Sequence, residues 1–334
     1  MIYRGAVPSL SPAIAEIRLA VRTALADLPE GSAVVVALSG GADSLALAAA
    51  TAFEAPKLGL RVATLSVDHG LQDGSDAVAA RAAHAATTLG LEGLVARVDV
   101  AGEGGPEAAA RDARYRVLKE AAADAGAAAV LLGHTLDDQA ETVLLGLARG
   151  SGSASLQGMA PVREDDDGLR WVRPLLGVRR QATRAFCEAS GLDVWDDPHN
   201  TQDRFARVRV RDRVLPVLEA ELGPGIAEAL ARTAEQLRED AEAFDEMIHE
   251  TIEDIVEHAE AGISVSVAAL AANPAALRNR IIRLVVDSEF GVSLTRLQTL
   301  EVARLATDWS GQGPIDLPAC SATRAGGRIV FTAR

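Results

Sequence analysis

The chain has no apolar run approaching the roughly 18–20 residues that a membrane-spanning helix needs. That excludes a helical membrane anchor within it. Its first residues, Met1-Ile2-Tyr3-Arg4-Gly5-Ala6-Val7-Pro8, lack the apolar centre of a signal peptide. Cysteine is nearly missing. Cys187 and Cys320 are far apart and form no Cys-x-x-Cys, which argues against a disulfide framework or a structural zinc. A reducing, cytoplasmic location is expected. Lysine is as scarce, with only Lys57 and Lys119. Almost all positive charge is therefore arginine, a bias that composition alone can produce.

Acid outweighs base, with 47 Asp+Glu against 33 Lys+Arg and a net charge of −14. That total is unfavourable to nucleic acid, but distribution matters more than the sum. Ten arginines fall between Arg170 and Arg213. Much of the acid follows Glu219, on a long polar helix face. A length of 334 residues with 49% hydrophobic content predicts two domains with sizeable cores.

The periodicity predicts a first amphipathic helix over 11–28. Strands at 33–38, 61–67, 94–99 and 128–133 alternate with helices at 44–54, 75–89, 107–125 and 136–149. Alternation of this kind predicts a doubly wound parallel sheet, with ligands beyond the carboxyl ends of the strands. Residues 150–170, Gly/Ser-rich and then acidic over Glu164–Asp167, read as a mobile surface loop. From Ile226 to about His258 the pattern is one long helix or a broken pair. A strand at 263–268, helices at 274–288 and 294–308, and a hairpin at 314–332 predict a small α+β domain. No internal repeat is present. The expected organisation is a domain over 1–220, a helical linker over 221–260 and a small domain over 261–334.

The most informative stretch runs from Val34 through Ser39-Gly40-Gly41-Ala42-Asp43-Ser44 into an Ala/Leu-rich helix. A strand, a tight glycine turn and a helix start make an anion site. Loop amides and the helix dipole point at the charge, and glycine lets the backbone approach it. No lysine follows the glycines, so this is not the common Gly-x4-Gly-Lys-Ser/Thr loop. The second strand ends in Asp68-His69, which can line a nucleotide pocket or simply cap a loop. Gly105-Pro106-Glu107 opens a helix carrying Arg111 and Arg114, three residues apart. These arginines either neutralise charge on a leaving phosphate or form a solvated face. In Gly133-His134-Thr135-Leu136-Asp137-Asp138-Gln139, Thr135 can cap a helix whose first turn is acidic. His134 and Gln139 need another reason. A carboxylate here can hold Mg²⁺ or take a proton.

Together these motifs resemble one family. In order they are the Ser-Gly-Gly-x-Asp-Ser loop, Asp68-His69-Gly70-Leu71, Glu107 to Tyr115, Gly133 to Thr142, and Arg149-Gly150-Ser151-Gly152. Arg173-Pro174-Leu175-Leu176, Trp195 to Asn200 and Arg207-Val208-Arg209-Val210-Arg211 follow. The first 220 residues resemble the tRNA(Ile)-lysidine synthetase family of the ATP pyrophosphatase (PP-loop) superfamily. The remainder is similar to a short form of that family's tRNA-binding region. The fold implied is adenine nucleotide alpha hydrolase-like. The activity implied starts with adenylation of C2 of the wobble cytidine in a CAU-anticodon tRNA(Ile). The amine of free L-lysine then displaces AMP, giving lysidine. Ser39, Gly40, Gly41, Ala42, Asp43 and Ser44 would hold the ATP pyrophosphate, with Asp68 and His69 near the nucleotide. Arg111, Arg114, His134, Asp137 and Asp138 would surround the reacting centre. Asp137 is the acid assigned to the lysine amine, which must lose a proton to attack. Asp43 or Asp138 is a candidate for Mg²⁺. Arg207, Arg209 and Arg211 alternate, which predicts one face of an extended segment contacting tRNA phosphates or clamping substrate. A homodimer is compatible with the pattern.

Two positions depart from many relatives. Thr135 stands where they carry a second histidine, and Asp68 where they carry a first one. Of the alternatives, tRNA thiolation needs cysteines inside the motifs, and both cysteines lie outside them. A non-catalytic nucleotide sensor would not need the intact loop together with its acids.

Overall fold

The computed structural model describes residues 11–70, 74–98, 106–150, 152–196, 204–259 and 262–334. Leu71, Gly105, Ser151 and residues 197–200 of the motifs above lie outside them, as does the side chain of Glu107. The chain divides into two compact units, Met1–Leu237 and Arg238–Arg334.

The first unit alternates as its hydrophobic pattern dictates. Its elements are α1 (Pro12–Leu25), β1 (Ala33–Ala37), α2 (Ala42–Glu54), β2 (Arg61–Asp68), α3 (Ser75–Thr88), β3 (Glu92–Arg97), α4 (Pro106–Asp124), β4 (Ala127–Leu131) and α5 (Leu136–Ala148). Then come α6 (Ser153–Leu156), β5 (Val162–Glu164), β6 (Arg170–Val172), α7 (Arg180–Ala189), α8 (Ala206–Arg209) and α9 (Leu215–Leu222). Among the described residues the six strands are ordered β3-β2-β1-β4-β6-β5, and only β5 is antiparallel. Pleat alternation builds two core layers. Val34, Val36, Ala129 and Leu131 face α1, α2 and α7, while Val35, Val130 and Leu132 pack with Leu118 of α4 and Trp171 of β6. The chain leaves β1 toward β2 and β3, then returns to β4 on the other side of β1. That reversal opens a crevice at the carboxyl ends of β1 and β4.

Residues 150–170 are not the loose loop expected. β5 and β6 form a hairpin on the sheet edge, and Asp165 in its turn accepts from Leu169 N at 3.1 Å and pairs with Lys119. Upstream, Gln139 exchanges two hydrogen bonds with the Met159 backbone, at 2.7 and 3.0 Å. The acids that suggested solvation are used to stitch the turn.

The helix α10 (Ile226–Ile255) is continuous, and the division between units falls within it. Its apolar stripe serves two cores. Ile226 and Leu230 pack with Leu136 and Leu215, whereas Phe244 and Ile248 belong to the second unit. That unit continues through β7 (Val256–Ala259), β8 (Gly262–Ser266), α11 (Val267–Ala272), α12 (Ala275–Phe290), α13 (Arg296–Thr307), β9 (Ile315–Leu317), β10 (Cys320–Ala325) and β11 (Arg328–Ala333). Its sheet is antiparallel, ordered β7-β8-β11-β10-β9.

Candidate active site

The glycine loop turns out of β1 with Gly40 at φ 85°, a backbone state that L side chains resist. Ser44 folds back over it, accepting from Ser39 N at 3.1 Å and donating to Gly41 O at 3.0 Å. No side chain caps the start of α2. The first-turn amides and their dipole are thus not served by a side-chain cap, as an anion cradle requires. Gly133, at the end of β4, closes against this loop. A methyl group on it would sit 3.2 Å from the Asp43 and Ser44 backbone.

Thr135 and Asp138 form a reciprocal capping box at the start of α5. Asp138 Oδ2 takes Thr135 N at 2.9 Å and Thr135 Oγ1 at 2.8 Å, and its Oδ1 takes Arg180 Nη2 at 2.7 Å. The departure to threonine is thereby explained as a helix cap. Burial pushes the Asp138 carboxyl up, but Arg180, Thr135 and His134 together hold it below the ordinary value. Asp43 turns toward α7. Thr183 Oγ1 donates to its Oδ1, and Arg180 Nε lies 3.6 Å from its Oδ2. Burial raises the Asp43 carboxyl above the ordinary range, and those two partners only partly offset it. Asp137 caps α7 from a distance, accepting Arg180 N at 2.8 Å and lying 3.3 Å from Arg179 Nη1.

Glu141, one turn on, has no exposed surface and gathers three arginines. Arg180 Nη1 lies at 3.2 Å, Arg211 Nε at 2.8 Å and Arg207 Nε at 3.5 Å. A buried carboxylate needs such partners. The motif from Gly133 to Thr142 spans Glu141, to which the sequence pattern assigns no role. Its signal was there, since Glu141 lies one helical turn from Asp137 and Asp138 on the same helix. A cleft of about 160 Å³ opens here, lined by Asp137, Glu141, Arg179, Arg180, Arg211 and Glu219 among others.

The arginine segment is a correction. Residues 206–214 are helical, not extended. Arg207 and Arg211, four apart, turn inward to Glu141, and only Arg209 of the three is exposed. The Arg-Val-Arg-Val-Arg alternation imitates a strand. Burial of Val208 and the pull of a buried carboxylate select the helix instead.

On the other side of α5 lies a basic wall. His134 keeps a buried Nδ1 without a hydrogen-bond partner, and so does His69. Burial, helped by Arg173, Arg114 and Arg111 and opposed by Asp138, pushes the His134 imidazole down to about 3. Burial and then Arg114 lower His69 as well. Both rings are therefore neutral near pH 7. Arg111 and Arg114 flank the Tyr115 ring, which packs on Trp171 at 4.9 Å. Asp68 behaves as a loop cap. Bonds from Ser75 and from Gly70 N, the latter at 3.0 Å, hold its carboxyl low despite burial.

Asp43 and Asp138 do not fit a divalent cation as placed, because their oxygens already face Thr183, Thr135 and Arg180. Among the described residues no group of three or more His, Cys, Asp or Glu could hold a metal. Cys187 is buried beneath the loop, its Sγ 3.4 Å from Ala42 O, with its thiol pushed up by burial to about 11. It is packing, not chemistry.

Comparison with known proteins agrees with this geometry. Residues 15–218 match the model described as "PP-loop domain", and residues 266–330 match the "TilS substrate binding domain". The chain is 60% identical over 306 residues to a tRNA(Ile)-lysidine synthase of Leifsonia xyli, covering 91% of each. It is 49% identical to the protein of that name from Streptomyces coelicolor, covering 96% of this chain and 98% of the relative. Among solved structures it is similar to the U34-tRNA thiolase NcsA from Methanococcus maripaludis. The TM-score is 0.57 at 22% identity, covering 68% of this chain and 79% of that one, a likeness of fold.

Proposed function

The chain belongs to the tRNA(Ile)-lysidine synthase family, and we propose how its crevice joins free lysine to the wobble cytidine of a CAU-anticodon tRNA(Ile). It is an ATP-using tRNA-modifying enzyme. The observation that carries the residue-level reading is the meeting of two features at one sheet crevice. An anion cradle after β1 faces the carboxylates and basic wall after β4.

In the first step the cytosine C2 oxygen attacks the α-phosphorus of ATP. A new P–O bond forms as the bond to pyrophosphate breaks. The loop from Ser39 to Ser44 holds the departing phosphates through its amides and hydroxyls. Arg111, Arg114 and Arg173 supply positive charge beside it. His134 and His69, kept neutral, offer ring nitrogens for hydrogen bonds to base or nucleotide and add no charge. In the second step the lysine amine, having given up a proton, forms a C–N bond at C2, and AMP leaves with the former C2 oxygen. Asp137, at the cleft mouth, is placed to meet the incoming ammonium and take that proton. Asp138 and Glu141, paired with Arg180, Arg207 and Arg211, fix the charge cluster behind it. Mg²⁺ accompanies the phosphates of ATP and is not assigned to Asp43 and Asp138.

tRNA contact is assigned to Arg209, the exposed one of the three, and to the second unit, while Arg207 and Arg211 turn inward to Glu141. From residue 262 onward that unit carries eight arginines against five carboxylates, in a chain of net charge −14. A tRNA substrate supports a cytoplasmic location. Among the described residues no helix is long and apolar enough to cross a membrane.

The test is incorporation of labelled lysine into a CAU-anticodon tRNA(Ile) transcript, with ATP and Mg²⁺, against a transcript altered at the wobble position. Label in the first RNA alone is expected. Absence of label in a correctly folded tRNA would overturn the reading.

A further inference from the structure

Arg180 belongs to none of the motifs, yet it touches four acids of the site, Asp43, Asp137, Asp138 and Glu141. It opens α7, and its side chain is 18% exposed. Its three guanidinium nitrogens reach three different carboxylates. Nη2 bonds Asp138 at 2.7 Å, Nη1 bonds Glu141 at 3.2 Å and Nε lies 3.6 Å from Asp43. Its backbone N–H bonds Asp137 at 2.8 Å. Thr183, one turn later, bonds both the Arg180 carbonyl at 2.7 Å and the Asp43 carboxylate. Just upstream, Leu136 N donates to Val178 O at 2.9 Å. The start of α7 thus grips the starts of α2 and α5 at once.

These two helix starts serve different halves of the proposed reaction. Asp43 closes the loop assigned to the pyrophosphate of ATP, and the α5 acids face the cleft assigned to the amine. We propose that Arg180 is a positioning residue that holds the pyrophosphate loop and the α5 acids in fixed register. The adenylated base is thereby presented directly to the amine. This inference rests on the functional reading above.

The planar guanidinium spreads five donors over three nitrogens, whereas an ammonium gathers its three donors at one atom and cannot span the same separations. Burial disfavours the Arg180 charge, but Asp138, Glu141 and Asp43 outweigh it and raise its pKa. It therefore stays cationic at every working pH. Without it, Asp43 and Asp138 repel one another across the crevice, and the loop and α5 lose their common anchor.

The test separates the two steps. Full-length Arg180→Ala and Arg180→Lys are mixed in excess with CAU-anticodon tRNA(Ile), ATP and labelled lysine for a single turnover. Pyrophosphate released and lysine incorporated are measured per tRNA. In the wild type the two are equal. In both variants lysine incorporated per pyrophosphate falls by about 100-fold, the scale of a misplaced reacting pair, and the KM for lysine rises more than that for ATP. Should Arg180→Ala not fold, Thr183→Val removes one strand of the grip with little change in shape. It lowers the same ratio to a smaller extent. An unchanged ratio, with both steps slowed in parallel, would overturn the proposal and leave Arg180 a support of the fold. A wild type that releases no pyrophosphate with this tRNA would instead overturn the functional reading.

Discussion

Asp137 makes structural contacts, and the proposed reaction gives the same carboxylate a chemical role. Its oxygens cap α7 and face Arg179, while its side chain keeps 21% exposure at the cleft mouth. Asp137→Ala is expected to cut lysine incorporation by about 100-fold. Its stability loss should be only about 1 kcal/mol, the usual worth of a helix cap. Activity and denaturant unfolding measured on the same preparation check the pair of effects. His134 makes a different prediction. Its ordinary value of 6.5 is pushed down to about 3 in the fold. The unfolded chain thus binds a proton that the folded one refuses. The stability this represents is complete above pH 6.5 and is lost as pH falls from there toward 3. Between pH 6 and pH 4 the wild type should lose about 1.4 kcal/mol per pH unit more than His134→Gln, the linkage of one proton. Equal slopes in unfolding titrations would show that His134 is not buried neutral.

At the scale of elements, the site is built from helix starts. The first turns of α2, α5 and α7 converge; α2 carries no side-chain cap, α5 starts in a capping box and α7 is met by a distant carboxylate. Close approach of β4 to the glycine loop depends on Gly133, where a methyl group meets main chain at 3.2 Å. Main chain cannot rotate away as a side chain can. Gly133→Ala should destabilise by about 1–3 kcal/mol and raise the KM for ATP, with the KM for lysine less affected. Initial rates against each substrate decide this. The helix over 206–214 teaches a related lesson. Period-two valines are compatible with a strand, but Arg207 and Arg211 can both reach Glu141 only from one helical face.

For the whole molecule, charge is partitioned. The acidic excess sits elsewhere in the chain, and the segment beyond residue 262 is net positive. On α12 and α13, Arg283 and Arg296 are exposed, and the first turn of α13 holds no acid. Burial and then the neighbouring Arg280 and Arg296 lower the pKa of Arg283, the mark of arginines close enough to repel. An anion relieves that repulsion. Arg283→Ala with Arg296→Ala should weaken tRNA binding and make the slope of log affinity against log salt shallower by about two. Filter binding over a salt series measures it, and an unchanged slope would remove this face from the interface.

The sequence by itself determined the parallel sheet, the glycine turn between β1 and α2, and the family. These follow from local patterns: β-branched runs, glycines at a tight turn, and motifs in a fixed order. It also placed Asp137, Asp138 and His134 at a strand end, because a strand running into a helix is a local event. Which acids pair with which bases was decided only by tertiary structure. Arg180 lies 42 residues from Asp138, and Arg211 lies 70 from Glu141. No local pattern records such pairings. Burial of Glu141 makes them necessary, since a carboxylate removed from water must find cations. The nearest available ones came from α7 and from a segment whose alternation had suggested a strand.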